Sequence, residues 1–413
     1  MNLGGREVGS RQSRLAKWSM RYPTVADLVE PARRRIPYFA FDFLKGGTGD
    51  ELSCERNYRA IREVELAPRY GGPISSVDIR ATMFGRELAS PVVISPIGMD
   101  GAIWPGATRI LAATARDLGI AYMPSTMATA SIEEVAGIAP DNAWFQLYAF
   151  ADNDHDVSFD LVRRAEKAGA GVLALTVDIP SPPRRVRDMR NGLLPKMKLT
   201  PEKILAMLSR PAWLSAVARE GMPTLANIRP YCTPGAGRDE LEAFVRNNKA
   251  GAGVTWDTVR RIRDLWKKPL LVKGIMHPAD ALEAVAAGVD GIVVSNHGGR
   301  QFDPSPATID VLPAIRAAVG DKLTVLMDSG VMSGTDVVKA IACGADGVLV
   351  GRAFMYGLAA LGTDGARHVA HILHEELRVA LAQSGADTLE GARQLAVRHP
   401  GAWSLAEFGI QDV

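Results

Sequence analysis

Cysteine is scarce here: among 413 residues only Cys54, Cys232 and Cys343 carry a thiol, far apart and without a CxxC spacing. That scarcity argues against a disulfide framework or a structural zinc site, so no metal is expected, and it fits a reducing compartment. Also lacking is any uninterrupted apolar run long enough to span a bilayer, and the polar, basic N-terminus has no apolar segment of a secretory signal. Excess charge of one sign is nearly absent. A formal net charge of +2, from 48 basic and 46 acidic side chains, gives no reason to expect nucleic acid as a partner. No GxGxxG turn follows an early strand, which sets aside an open doubly wound dinucleotide fold. What remains, 47% hydrophobic and 23% charged residues, can bury a substantial core. The expected location is cytoplasmic, with room for a peripheral position on the inner face of a membrane.

Residues 1–22 carry Arg6, Arg11, Arg14, Lys17 and Arg21 with little hydrophobic pattern and read as a flexible basic arm. A helical extension follows, with Pro37 to Leu44 as an amphipathic segment ending at Gly46 and Gly47. Then a repeat emerges of helix end, glycine and short apolar strand. Gly119, Gly169, Gly288 and Gly344 precede Ile120–Ser125, Val172–Asp178, Ile292–Asn296 and Val348–Arg352. Four more apolar runs fit the gaps: Val92–Pro96, Ala143–Tyr148, Leu270–Gly274 and Thr324–Ser329. Helices alternating with eight such strands predict an α/β fold, a (β/α)8 TIM barrel with an N-terminal helical extension and a long insertion after strand 4. The barrel domain is expected over residues 23–385, with 186–256 as a mobile insertion and 386–413 as a C-terminal tail.

Active sites of such barrels lie at the C-terminal ends of the strands. Those ends carry Gly98, Ser125, Gln146 with Tyr148, Thr176 with Asp178, Lys273, His297 with Arg300, Asp328 with Ser329, and Gly351 with Arg352. The richest stretch is Ser295 to Asp303, reading Ser-Asn-His-Gly-Gly-Arg-Gln-Phe-Asp. Its imidazole can take a proton near neutral pH, and its guanidinium can grip a carboxylate with two parallel hydrogen bonds. Between strands 4 and 5, Arg184 to Arg219 holds nine Lys or Arg and two acids, interleaved with leucines, methionines and Trp213. Such a basic amphipathic segment predicts either contact with an anionic membrane surface or a lid or subunit contact.

The Ser-Asn-His-Gly-Gly-Arg-Gln motif, with Gln146-Leu147-Tyr148, Thr176-Val177-Asp178, Val272-Lys273-Gly274 and Gly351-Arg352 in the same order, resembles the FMN-dependent α-hydroxy acid dehydrogenase/oxidase family. Gly98 to Pro105 and Gly221 to Asn227 are most similar to its mandelate dehydrogenases, and Asp328-Ser329-Gly330 suits the bacterial dehydrogenase branch. The resemblance implies FMN as cofactor, a small 2-hydroxy acid as substrate and a homo-oligomer, a tetramer in the family. It implies His297 as general base, Asp178 as its orienting carboxylate and Lys273 as the cation beside the flavin. Tyr148, Arg185, Arg300 and Phe43 fall at substrate-binding positions. Ile97, Gly98, Ser125, Gln146, Thr176, Ser295, Asp328, Ser329, Gly330, Gly351 and Arg352, together with Lys273, fall at cofactor positions. Three residues depart from the pattern. Met332 replaces a phosphate-binding arginine, Phe43 a substrate-binding tyrosine, and Met127 a bulky aromatic. An L-2-hydroxy acid with an aromatic or bulky side chain is therefore expected as substrate, with an L-lactate dehydrogenase or an oxygen-using 2-hydroxy acid oxidase of the same family as the alternative. Gly98 resembles the dehydrogenases, so a quinone or other carrier is expected as electron acceptor rather than oxygen. Two other classes compete: a non-redox flavin-binding barrel, and a silent barrel acting through its basic segment.

Overall fold

The computed structural model describes residues 14–193 and 200–410. Eight short parallel strands form its centre: β1 (Val92–Ile94), β2 (Ala121–Tyr122), β3 (Phe145–Tyr148), β4 (Leu173–Thr176), β5 (Leu270–Ile275), β6 (Gly291–Val294), β7 (Thr324–Met327) and β8 (Gly347–Val350). Each falls within one of the eight apolar runs read from the sequence or overlaps it, because strands buried on both faces need apolar side chains throughout. Their hydrogen-bonded order is β2-β1-β8-β7-β6-β5-β4-β3. The two outer strands also meet: Tyr122 N donates to Asn142 O at 2.9 Å, and Gln146 N donates to Pro124 O at 3.0 Å. Those bonds close the sheet into a barrel.

Alternate side chains divide the core in two. Val92 and Ile94 point outward into the layer shared with the helices, whereas Val93 joins Ala174, Leu271, Val293, Leu326 and Leu349 inside the barrel. A hairpin of Ala81–Met83 and Arg86–Leu88 plugs the N-terminal mouth, with Met83 and Leu88 in the inner cluster. Phe84 meets Trp144 edge-on at 5.7 Å there.

Around the C-terminal mouth stand α1 (Tyr38–Lys45) and α2 (Leu52–Glu63) of the N-terminal extension. The described part of the long insertion is folded as α3 (Val186–Arg190), α4 (Pro201–Leu208), α5 (Pro211–Glu220) and α6 (Arg238–Asn247). On the outer layer lie α7 (Thr308–Val319) and α8 (Gly365–Ser384).

The flanks and the insertion pack against the barrel in three places. Residues 14–21 of the supposed flexible arm are helical: Arg14 pairs with Asp364 at 3.1 Å and Trp18 packs edge-on against His368. Residues 1–13 lie outside the described residues. The C-terminal tail is built into the domain, since Ala396–Arg398 pairs antiparallel with Glu65–Ala67. Trp213, in the segment expected to form a membrane, lid or subunit contact, is 4% exposed and donates its indole N–H to Ile103 O at 3.1 Å. An indole buries a large apolar body whenever its one polar atom finds an acceptor, and here it does. Lys203 is buried too, with its ammonium 3.3 Å from Gly192 O. Lys196 and Lys198 lie outside the described residues.

Candidate active site

The strand ends converge on one cavity of about 950 Å³ at the C-terminal mouth. His297 stands on its wall with φ +59°, just past β6. Its Nδ1 lies 2.9 and 3.1 Å from the two carboxylate oxygens of Asp178, past the end of β4, and its Nε2 lies 3.1 Å from the Tyr148 hydroxyl. Gly274 permits the approach of Asp178, because a Cβ there would come within 2.6 Å of Asp178 Cβ. Burial pushes the His297 imidazole below its usual range, with Lys273 and Arg185 pushing the same way and Asp178 opposing. Burial opposes ionisation of Asp178, yet His297 and Lys273 hold its carboxyl below the ordinary range. An ionised Asp178 fixes the proton on Nδ1 and leaves Nε2 unprotonated, an acceptor for the Tyr148 hydroxyl. Burial also raises the Tyr148 phenol to about 12, so it stays a neutral donor.

Lys273 is 3% exposed, and its ammonium contacts Asp328 at 2.9 Å and Ser295 Oγ at 2.7 Å. Burial works against that charge, but Asp328 and Asp178 outweigh it and raise the amine. Beside it runs a buried polar ladder: Ser125 Oγ donates to Gln146 Oε1 at 2.7 Å, and Gln146 Nε2 donates to Thr176 Oγ1 at 2.9 Å. Ile97, Gly98 and Met127 complete this part of the wall. Ser125 and Ser295 do not line the cavity. Each stands behind a residue that does, the serine hydroxyls orienting Gln146 and Lys273 respectively.

Arg185 and Arg300 both line the cavity. Arg300 donates to Phe43 O at 2.8 Å and Gly46 O at 2.7 Å, with its guanidinium 5.0 Å from the Phe43 ring centre. Burial, then the charges of Arg185 and Arg352, push Arg300 down to about 9. Two like charges so close, in so little water, are a strong attractor for an anion. At the far end Ser329, Gly330, Met332, Gly351 and Arg352 line the wall. Arg352, expected to reach toward a phosphate, donates to Leu44 O at 3.2 Å and Gly46 O at 3.0 Å at the end of α1.

A profile of the FMN-dependent dehydrogenases matches residues 32–399. This chain belongs to that family. It is 38% identical to an L-lactate dehydrogenase of Caulobacter sp. strain K31 over 369 residues, covering 89% of this chain and 96% of the relative. It is 39% identical to a 4-hydroxymandelate oxidase of Amycolatopsis orientalis over 376 residues, covering 91% and 98%. The crystal structure of the monotopic membrane protein (S)-mandelate dehydrogenase superposes with a TM-score of 0.85 at 33% identity, covering 91% of this chain and 99% of that one.

FMN is therefore the cofactor, and the wall fits it. A buried cation and an amide–hydroxyl ladder suit the polar edge of a flat ring. Sequence reading missed two contributors to this site. Asp188, 3% exposed, lines the cavity three residues after Arg185, and the signal for it was an acid kept within a basic run. Asn57, on α2, carried no signal, since a single amide on an extension helix resembles any other.

Proposed function

We propose that this enzyme oxidises an L-2-hydroxy acid with a bulky, aromatic side chain to the 2-oxo acid, passing the electrons on to a quinone or similar carrier. The observation that carries the reading is an imidazole with Asp178 behind it and two guanidiniums in the same cavity. Arg185 and Arg300 bind the substrate carboxylate, and their forked donors fix its orientation. His297 Nε2 takes up a proton released as the C2–O2 unit becomes a carbonyl. Asp178 holds Nδ1–H and balances the imidazolium that forms, while Tyr148 hydrogen-bonds the substrate oxygen. When bound, FMN supplies the acceptor for the two electrons. Lys273, Gln146 and Thr176 would hold its ring edge, and Ser329, Gly330, Gly351 and Arg352 its phosphate end. A buried ammonium stabilises negative charge developing nearby.

Support for a bulky side chain comes from the cavity, where Phe43, Met127, Leu193, Leu225 and Val245 offer apolar surface and a flexible thioether. Anaerobic bleaching of the flavin with L-mandelate, L-lactate and a long-chain aliphatic 2-hydroxy acid tests it. Mandelate is expected to give the highest second-order rate constant, and a preference for lactate would overturn the aromatic assignment.

Met332 lines the phosphate end, with its backbone N–H donating to Asp336 Oδ2 at 2.9 Å. Met332→Arg is expected to tighten FMN about tenfold through one added charge-assisted contact. Equilibrium titration of the apoprotein at fixed ionic strength decides it, and unchanged affinity means that residue 332 does not face the phosphate.

No described helix is long and apolar enough to cross a membrane. On α4, Ile204, Leu205 and Leu208 are nonetheless 43%, 68% and 62% exposed. We assign this face to peripheral contact with anionic lipid at the inner surface of the membrane, near a quinone. Leu205→Gln with Leu208→Gln should lower binding to anionic vesicles while turnover with a soluble dye stays unchanged. Equal vesicle binding by both proteins would assign the face to a lid or subunit contact instead.

A further inference from the structure

His297, Gly298 and Gly299 are three consecutive left-handed residues, at φ +59°, +67° and +74°. A non-glycine residue in that region is strained and persists only where its surroundings over-determine it. The surroundings come from outside the barrel. Asn57 of α2 is 3% exposed and forms a reciprocal amide pair with Asn296, each Nδ2 donating to the other's Oδ1 at 2.9 Å. Asn296 Oδ1 also accepts from Gly299 N at 3.1 Å, so the pair holds the turn itself.

The same residue reaches the neighbouring strand end. Thr308 N donates to Asn57 Oδ1 at 3.3 Å, and Thr308 Oγ1 donates to Asp328 O at 2.7 Å. A Cβ on Gly330, which has φ +102°, would lie 2.9 Å from Asn57 O. One side chain and its carbonyl thus touch the loop that carries His297 and the strand end that carries the partner of Lys273.

We propose that Asn57 is a positioning residue that fixes His297 relative to the Lys273–Asp328 pair. It touches no reacting atom, and it acts through Asn296 and Thr308. The inference rests on His297 being the base. Both arms of the amide are needed: the donor reaches the His297 turn and the acceptor reaches α7.

The test measures anaerobic flavin reduction at saturating L-mandelate, together with the dissociation constant of the product 2-oxo acid, for holoenzymes of equal FMN content. Asn57→Ala should lower the limiting reduction rate about 10- to 100-fold with near-unchanged 2-oxo acid affinity, because sub-ångström misplacement costs rate rather than binding. Asn57→Asp keeps the shape and the acceptor but loses the donor once ionised. Burial raises such a carboxyl, and its protonated form regains the donor. The rate of this variant relative to the unsubstituted enzyme, compared only at pH values where circular dichroism shows both fully folded, should therefore rise as pH falls. Reduction by Asn57→Ala within about threefold of the unsubstituted rate overturns the proposal. So does a pH-independent ratio for Asn57→Asp, which also decides the matter if the alanine variant does not fold. His297→Ala is the control: if it reduces normally, the base assignment has failed rather than the role of Asn57.

Discussion

His297→Ala is expected to retain FMN and to lose flavin reduction by substrate about 10³- to 10⁴-fold. Retention follows from where the cofactor-facing groups sit. The Ser125–Gln146–Thr176 ladder and the Lys273–Asp328 pair are built from other strands, and none of their bonds passes through the imidazole. Loss of rate follows because the other groups near Nε2 are poor substitutes. The Tyr148 phenol is raised to about 12 and the arginines are cations, so neither accepts a proton readily. Stopped-flow bleaching under nitrogen, with FMN content measured by absorbance, checks both halves. Rapid bleaching of the mutant's flavin would remove His297 from the role of base.

Asp178→Asn should lower the same rate about 10²- to 10⁴-fold while changing its pH profile in a defined direction. The carboxylate acts against burial to keep the imidazole basic, so its removal lets burial, Lys273 and Arg185 push His297 further down. The neutral, proton-accepting form then persists to lower pH. The acid limb of the log rate profile must shift toward lower pH even as the plateau falls, because a weaker base abstracts more slowly. A fall in rate with no shift of the limb, or a shift to higher pH, would mean that Asp178 does not set the charge on His297.

These two residues were legible in the sequence for a physical reason. A barrel gathers its strand ends at one mouth, so polar residues after apolar runs can be assigned to one site without knowing their distances. That is how Lys273, Gln146 and Thr176 were placed, and the cavity brings them together. Ser125 and Ser295 come from the same strand ends yet stand behind the wall, because position along a strand fixes the face a residue points to but not how far its side chain reaches. Arg352 also donates to the carbonyls ending α1, acceptors that a distant segment supplies and that its strand-end position does not announce. Asn57 is hidden on the same account: its partner is Asn296, 239 residues away. Trp213 failed differently. A tryptophan among cations reads equally well as an anchor or as core, and the carbonyl of Ile103 decides for the core.

The pairing of Glu65–Ala67 with Ala396–Arg398 bears on how the enzyme is made. Its contacts include one between Arg398 and Glu65, 333 positions apart. At about 5–20 residues per second, the ribosome delivers the second strand tens of seconds after the first. Until then the strand that extends α2 has an open edge, and α2 is the helix that bears Asn57. The barrel strands can associate progressively as they emerge, but the seam that ties the extension down closes only at the end. Nascent chains of this enzyme should therefore pass through a long-lived stage with the barrel largely formed and the base not yet locked. In that stage an exposed strand edge, rather than exposed core, is what a chaperone or a neighbouring chain would meet.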